Sequence, residues 1–271
     1  MISESTYPKP EQAGSADCLK FVVPEHLCVG GTAEPFLYGG SGFAACVAAM
    51  EHFTGLPTIF ASAQFTGKGR SGDVISVSPE YISGGNSIKQ CRLRAEIGDA
   101  PFATLLGATG ARDDDTTHQG VEAPHVLQPH QCEERSVARQ ISSNLNALFE
   151  FRLAGGQLPD RRDWTGTVGQ DTAFWIRNRS GKPLSRLDLP VIADLAAMAL
   201  PSALGKPASG NSLDNNIRFV READCEWVLS CTQVASVQHG LTHIGTNIFS
   251  QDGSILAVAS QSMILRVRPP S

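Results

Sequence analysis

Apolar residues recur three and four positions apart along Gly39–Thr54, where Phe43, Val47, Met50 and Phe53 share one face. The segment is rich in Ala, and Gly55 and Pro57 follow it, so the spacing predicts a helix ending there. Four strand-like runs come next, at Ile59–Phe65, Asp73–Ile82, Ser87–Ile97 and Pro101–Ala108. Gly67, Gly69, Gly72, Gly84-Gly85 and Gly98-Asp99 separate them as turns, which makes the run an antiparallel meander.

Residues 112–143 carry Pro, His and mixed charge without a sustained period, and read as a linker wrapping the surface. A second series of elements begins beyond it. Leu145–Leu153 and Thr172–Asn178 read as strands. Asp188 and Pro190 then open a helix whose Val191, Leu195 and Met198 share a face, and the stretch from Gly205 to Gly210 closes it. Four more strands are expected at Ser212–Val220, Glu226–Val237, Thr242–Phe249 and Ser254–Val267, the last two joined by an Asp252-Gly253 hairpin turn. The two halves repeat one order of elements: Phe65 and Phe219, and likewise Asp99 and Gly253, stand 154 residues apart. A helix on a curled antiparallel sheet, used twice, is an α+β double hotdog, with two antiparallel sheets each wrapping a helix. Its units would be residues 1–112 and 144–271, with the linker at 113–143, and the two sheets would meet edge to edge. A generic α+β protein without true duplication is the plainer alternative.

Composition narrows the function. The chain has 271 residues, 41% hydrophobic and 18% charged, a balance that suits a globular protein with a sizeable core. A net charge of −5 with no basic cluster argues against nucleic acid as a partner. No window approaches the roughly 20 apolar residues of a membrane-spanning helix, and the first residues lack the basic-then-apolar order of a leader. The 7 cysteines are odd in number and form no C-x-x-C pair, which predicts a reducing, cytoplasmic setting, with Cys46 and Cys91 as small core residues. His118, His125 and His130 have no regular ligand spacing. His239 and His243 lie in an alternating strand, so no metal site is expected. No G-x-S-x-G elbow occurs, and Gly67–Gly72, which fits G-x-G-x-x-G, leads into a strand and opens no helix; the main support for a serine hydrolase or a dinucleotide cofactor is thus missing, and no cofactor is expected.

Polar residues within apolar strands of the second half carry the remaining signal. Asp214 begins one strand and Gln261 interrupts the last, whereas the positions 154 residues earlier are Phe60 and Gly107. A polar site in one of two duplicated units points to function there; the structural alternative is that Asp214 caps a turn and Gln261 satisfies a buried backbone group. Three runs, Leu37-Tyr38-Gly39-Gly40, Ser212-Leu213-Asp214-Asn215 and Gln251-Asp252-Gly253 followed by Gln261, together resemble the acyl-CoA thioesterase II family over residues 20–110 and 145–268.

The resemblance implies a double-hotdog fold and hydrolysis of acyl-CoA to free acid and CoA. It also implies a water held by an Asp, a Thr or Ser, and a Gln of the second unit. Asp214 and Gln261 match the first and last of these. The hydroxyl position falls on Ala235, with Ser236 beside it and Thr232 three residues earlier; a one-residue bulge would turn Ser236 inward. The expected catalytic set is therefore Asp214 as base, Gln261 and Ser236, with N–H groups at Gly39 and Gly40 polarising the substrate carbonyl. The expected partner is an acyl-CoA or acyl-carrier thioester, and self-association stays open. Two other readings compete. One is a catalytically silent double hotdog that binds an acyl or polyketide-like ligand. The other is a non-hydrolytic reaction, although the hydratase branch of the fold calls for a His and an Asp in one strand-helix segment, which the sequence lacks.

Overall fold

A computed structural model of the chain describes residues 5–13, 15–30, 34–136, 143–156 and 171–267. Thirteen strands form one antiparallel sheet. They are β1 (Glu11–Ala13), β2 (Ser15–Val22), β3 (Thr58–Phe65), β4 (Val74–Gly84), β5 (Ile88–Ile97), β6 (Ala100–Gly110), β7 (Phe149–Gly155), β8 (Thr172–Asn178), β9 (Ala208–Ser212), β10 (Asp214–Phe219), β11 (Val228–Gln238), β12 (Leu241–Ser250) and β13 (Ile255–Val267). Their order is β1-β2-β4-β5-β6-β3-β10-β13-β12-β11-β8-β7, with β9 also pairing with β13.

That order is a palindrome about the β3–β10 junction, as duplication requires. At the junction Asp214 pairs with Gln64 and Arg218 with Phe60, so the halves do meet edge to edge. The register repeats as well. Ala61 pairs with Gly107 in the first half, and Asn216 pairs with Ser260 in the second, which sets Asn215 against Gln261, each 154 residues on. The expectation of two sheets is thus corrected to one continuous sheet. Backbone groups of β3 and β10 that would otherwise form open edges bond each other, which favours the single sheet.

Helix α1 (Gly39–Thr54) sits in the curl of the first half, with Phe43, Ala44, Ala45, Val47, Ala49 and Met50 all buried. Small Ala side chains let the sheet approach it on more than one side. Gly55, in the left-handed region at φ 68, ends it by donating its N–H to Glu51 O at 2.8 Å. In the second half the expected helix runs as three pieces: α-helix over Asp188–Ala193, a 3-10 turn over Asp194–Ala199, and α-helix over Leu200–Leu204. Pro201 has no N–H to extend an α-ladder back to Ala197, and the tighter turn before it absorbs the break.

Two further corrections concern the edges. Residues 145–153 do not form one strand, because Ser143–Leu148 is helical and buries Leu145 and Leu148 before β7 begins. Strands β1 and β2 also had no counterpart in the periodicity reading. The linker lies over the outer face of the second half, where Trp175 Nε1 donates to Leu127 O (2.9 Å) and Gln119 Nε2 to Gly253 O (2.9 Å). Cys132 there packs in one apolar cluster with Trp175, Trp227 and Phe249. Linker residues 137–142 lie outside the described part. Burial pushes the Cys46 thiol up to about 12 and Cys91 to about 11, in keeping with core residues. Among the described residues no helix is long and apolar enough to cross a membrane.

Candidate active site

The inner face of the sheet and the start of α1 enclose the carboxylate of Asp194, at the head of the 3-10 turn. Its Oδ2 accepts the Gly40 N–H at 2.6 Å. Its Oδ1 accepts Gln261 Nε2 (2.6 Å), Asn215 Nδ2 (2.8 Å) and Ser212 Oγ (3.3 Å). Gln261 Nε2 donates a second bond to Asn215 Oδ1 at 2.6 Å, so the three side chains form a closed network. Asn215 is fully buried and Gln261 is 3% exposed.

Local geometry explains why these residues meet. Alternation along β10 and β13 turns Asn215 and Gln261 toward the helices, on adjacent strands and in register. Asp194 approaches α1 because positions 39 and 40 lack side chains. A Cβ at Gly39 would lie 2.9 Å from Asp194 Oδ2, and one at Gly40 would meet Asp194 Cβ at 2.8 Å and both Tyr38 Cε1 and Val191 Cα at 2.9 Å. The N-cap of α1, Tyr38, makes no side-chain capping bond; Asp194 of the second half accepts the Gly40 N–H instead. Gly40 and Asp194 are themselves 154 residues apart, so the two helical segments touch at equivalent positions.

Two opposing effects act on Asp194. Burial disfavours its charged form, while bonds from Gly40, Gln261, Asn215 and Ser212 favour it; burial prevails and raises the carboxyl from 3.8 to about 6. Burial also raises Tyr38 well above its ordinary range, helped by the charge of Asp194. One acceptor is left over, since Gln261 Oε1 is buried and has no partner among the described residues. A buried acceptor of this kind costs about 1–3 kcal/mol until a water or ligand donor reaches it.

The residues expected from sequence divide between the two faces. Gln261 lies in this network. Asp214 does not join it: its Oδ1 accepts the Ser262 N–H (2.7 Å) and its Oδ2 accepts Asn216 Nδ2 (2.6 Å), on the outer side of the sheet. The anticipated bulge exists, because the β11–β12 register shifts between Val234 and Ser236. It sets the exposed Ser236 against His243, whose Nδ1 lies 3.1 Å from Ser262 Oγ, again on the outer face. Thr232 faces inward, where its hydroxyl pairs with Thr246 at 3.1 Å. Gly39 and Gly40 are at the site, yet the Gly40 N–H is taken by Asp194 rather than open to a substrate. Asp194, Asn215 and Ser212, which complete this network, were not among the residues expected from sequence. Asp194 stood inside an apolar helical run, 154 residues after the Gly40 already singled out, and that offset was the available signal. Among the described residues no three His, Cys, Asp or Glu side chains converge as metal ligands.

A double hotdog with one polar network at the junction of its halves defines the class of protein, and comparisons place it further. The chain belongs to the acyl-CoA thioesterase family, whose C-terminal domain is matched over residues 124–265. The chain is similar to a candidate thioesterase from Novosphingobium aromaticivorans, with 27% identity, a TM-score of 0.84 and coverage of 96% of this chain and 99% of that one. It also resembles the acyl-CoA thioesterase II TesB2 of Mycobacterium marinum, at 17% identity, TM-score 0.74 and 100% coverage of both chains. The dehydratase domain of PpsC from Mycobacterium tuberculosis shares the fold more loosely, at 12% identity and TM-score 0.58, over 96% of this chain and 98% of that one. At such identities the last two show the fold alone. No curated protein sequence matches the chain.

Proposed function

We propose that the protein hydrolyses acyl-CoA or a similar carrier-bound thioester, with Asp194 as the general base. The observation that carries this reading is the buried Asp194 carboxylate beside the unpartnered Gln261 Oε1. A water that reaches Gln261 Oε1 donates one hydrogen to it and the other to Asp194. Asp194 takes its proton, the oxygen adds to the thioester carbonyl carbon, and the tetrahedral adduct expels the thiolate, which recovers the proton from Asp194. A carboxyl near 6 suits the task, being largely ionised at neutral pH yet still basic enough to accept a proton. Substrate would enter beside Gly39 and Ser212, which stay half-buried at the margin of the network.

Thiol release from acyl-CoA esters of graded chain length tests the reading. Turnover by the wild type that falls by more than about tenfold in Gln261→Ala supports it. No release from any ester by folded protein would refute it. That outcome would favour a silent acyl-binding double hotdog, a reading to which the exposed Ser236 lends weight, since no hydroxyl from the bulge meets Gln261.

A further inference from the structure

On the face of the sheet opposite Asp194, next to the linker, a cleft of about 540 Å³ opens between Pro129, Arg152, Arg177, Glu226 and Trp227. Its floor is fixed by Glu150, which is 5% exposed and accepts Arg152 Nε at 2.6 Å and Arg177 Nε at 2.9 Å. Burial acts to raise the Glu150 carboxyl, but bonds and charge from the two guanidinium groups outweigh it and hold the group below its usual range. Arg152 Nη1 also donates to Pro129 O (3.0 Å) and Cys132 O (3.3 Å). The two guanidinium groups lie over the Trp227 ring, 5.4 and 4.7 Å from its centre. Two cations are thereby immobilised around one buried anion, which leaves one positive charge for a second anion to balance.

Arg177 Nη1 has a different kind of partner. It donates to Glu226 Oε1 at 2.8 Å, and the Glu226 side chain is 59% exposed. Exposed pairs of this sort contribute only about 0–1 kcal/mol, so Glu226 can swing away at little cost. It leaves behind a guanidinium edge whose geometry already accepts a carboxylate, flanked by the apolar surfaces of Pro129 and Trp227.

We infer that this cleft binds an organic carboxylate, whose charged end replaces Glu226 on Arg177 and whose apolar body lies against Pro129 and Trp227. Glu226 is then a tethered internal competitor. The acid released by thioester hydrolysis belongs to this chemical class, and that connection rests on the proposed function; the binding itself does not.

Titration calorimetry of the full chain with octanoate, and separately with inorganic phosphate, tests the inference without any substrate turnover. Glu226→Gln removes the competing charge and should tighten octanoate binding about threefold, the scale of an exposed ion pair. Arg177→Met should weaken it by more than about tenfold, the scale of charge-assisted hydrogen bonds. Asp194→Asn should leave the Glu226-sensitive component unchanged. The inference is overturned if Glu226→Gln has no effect or weakens binding, if Arg177→Met with an unchanged melt binds as the wild type does, or if phosphate binds as tightly as octanoate. Failure of thioester hydrolysis would remove the link to product and leave these binding results standing.

Discussion

Replacing Asp194 by an asparagine isolates the energetic consequence of burying a carboxylate at the junction. In the folded protein the group titrates at about 6, against 3.8 when exposed. Below about pH 4 it is protonated in both states and its ionisation costs nothing. Between about 3.8 and 6 the unfolded chain has released the proton while the folded chain still holds it, so stability falls with pH across that window and levels off above 6, where both states are ionised. A displacement of roughly two pKa units corresponds to about 3 kcal/mol. The amide of the variant does not titrate. The difference in unfolding free energy between wild type and Asp194→Asn, measured by urea denaturation from about pH 4.5 to 8, should therefore move by about 2 kcal/mol in favour of the variant as pH rises, most of it below about pH 6.5. Taking the difference cancels other titrating groups, as well as any fixed cost of reversing donors around the new amide. A pH-independent difference would refute the balance argued here, and a change of opposite sign would show that the four donors outweigh burial.

Further outcomes follow from the same geometry. The pH profile of kcat/KM should rise through about 6 and level off above it, because the base must be ionised in the free enzyme; a flat profile from about pH 5 to 8 would exclude Asp194 as the base. Gly40→Ala should lower stability by about 1–3 kcal/mol in thermal melts, since its Cβ would collide with the Val191 backbone at 2.9 Å. Gly245→Ala, with open space around it, should change stability by less than about 1 kcal/mol. Fragments 1–112 and 144–271 expressed apart should fail to give two soluble folded units, because each would expose a strand that the β3–β10 pairing covers.

The repeated order of elements was legible because each half alternates between helical and strand periods, and the end of α1 over Gly39–Thr54 was marked by Gly55 and Pro57. The second helix was harder. Its apolar spacing continues through Pro201, so periodicity alone conceals the 3-10 turn that aims Asp194 at α1. Strands β1 and β2 add at an edge, where partner strands rather than local pattern decide pairing. At the site, Gln261 was legible as a polar residue in an apolar strand. Asp214 drew attention by its place in a short run, but side-chain direction at the β9–β10 break follows from register, which the sequence does not display. Ser236 depended on a bulge; the bulge is present, and it sets Ser236 opposite His243 with its side chain exposed.

In the proposed mechanism hydrolysis depends on the inward network of Asp194 and not on the outward carboxylate of Asp214. Steady-state thiol release from one good acyl-CoA substrate, with Asp194→Asn and Asp214→Asn assayed side by side and both checked for folding, tests it most directly. Asp194→Asn should lower kcat by about 10²-fold or more, while Asp214→Asn should stay within about threefold of the wild type. Loss of turnover in Asp214→Asn, with activity kept in Asp194→Asn, would contradict it.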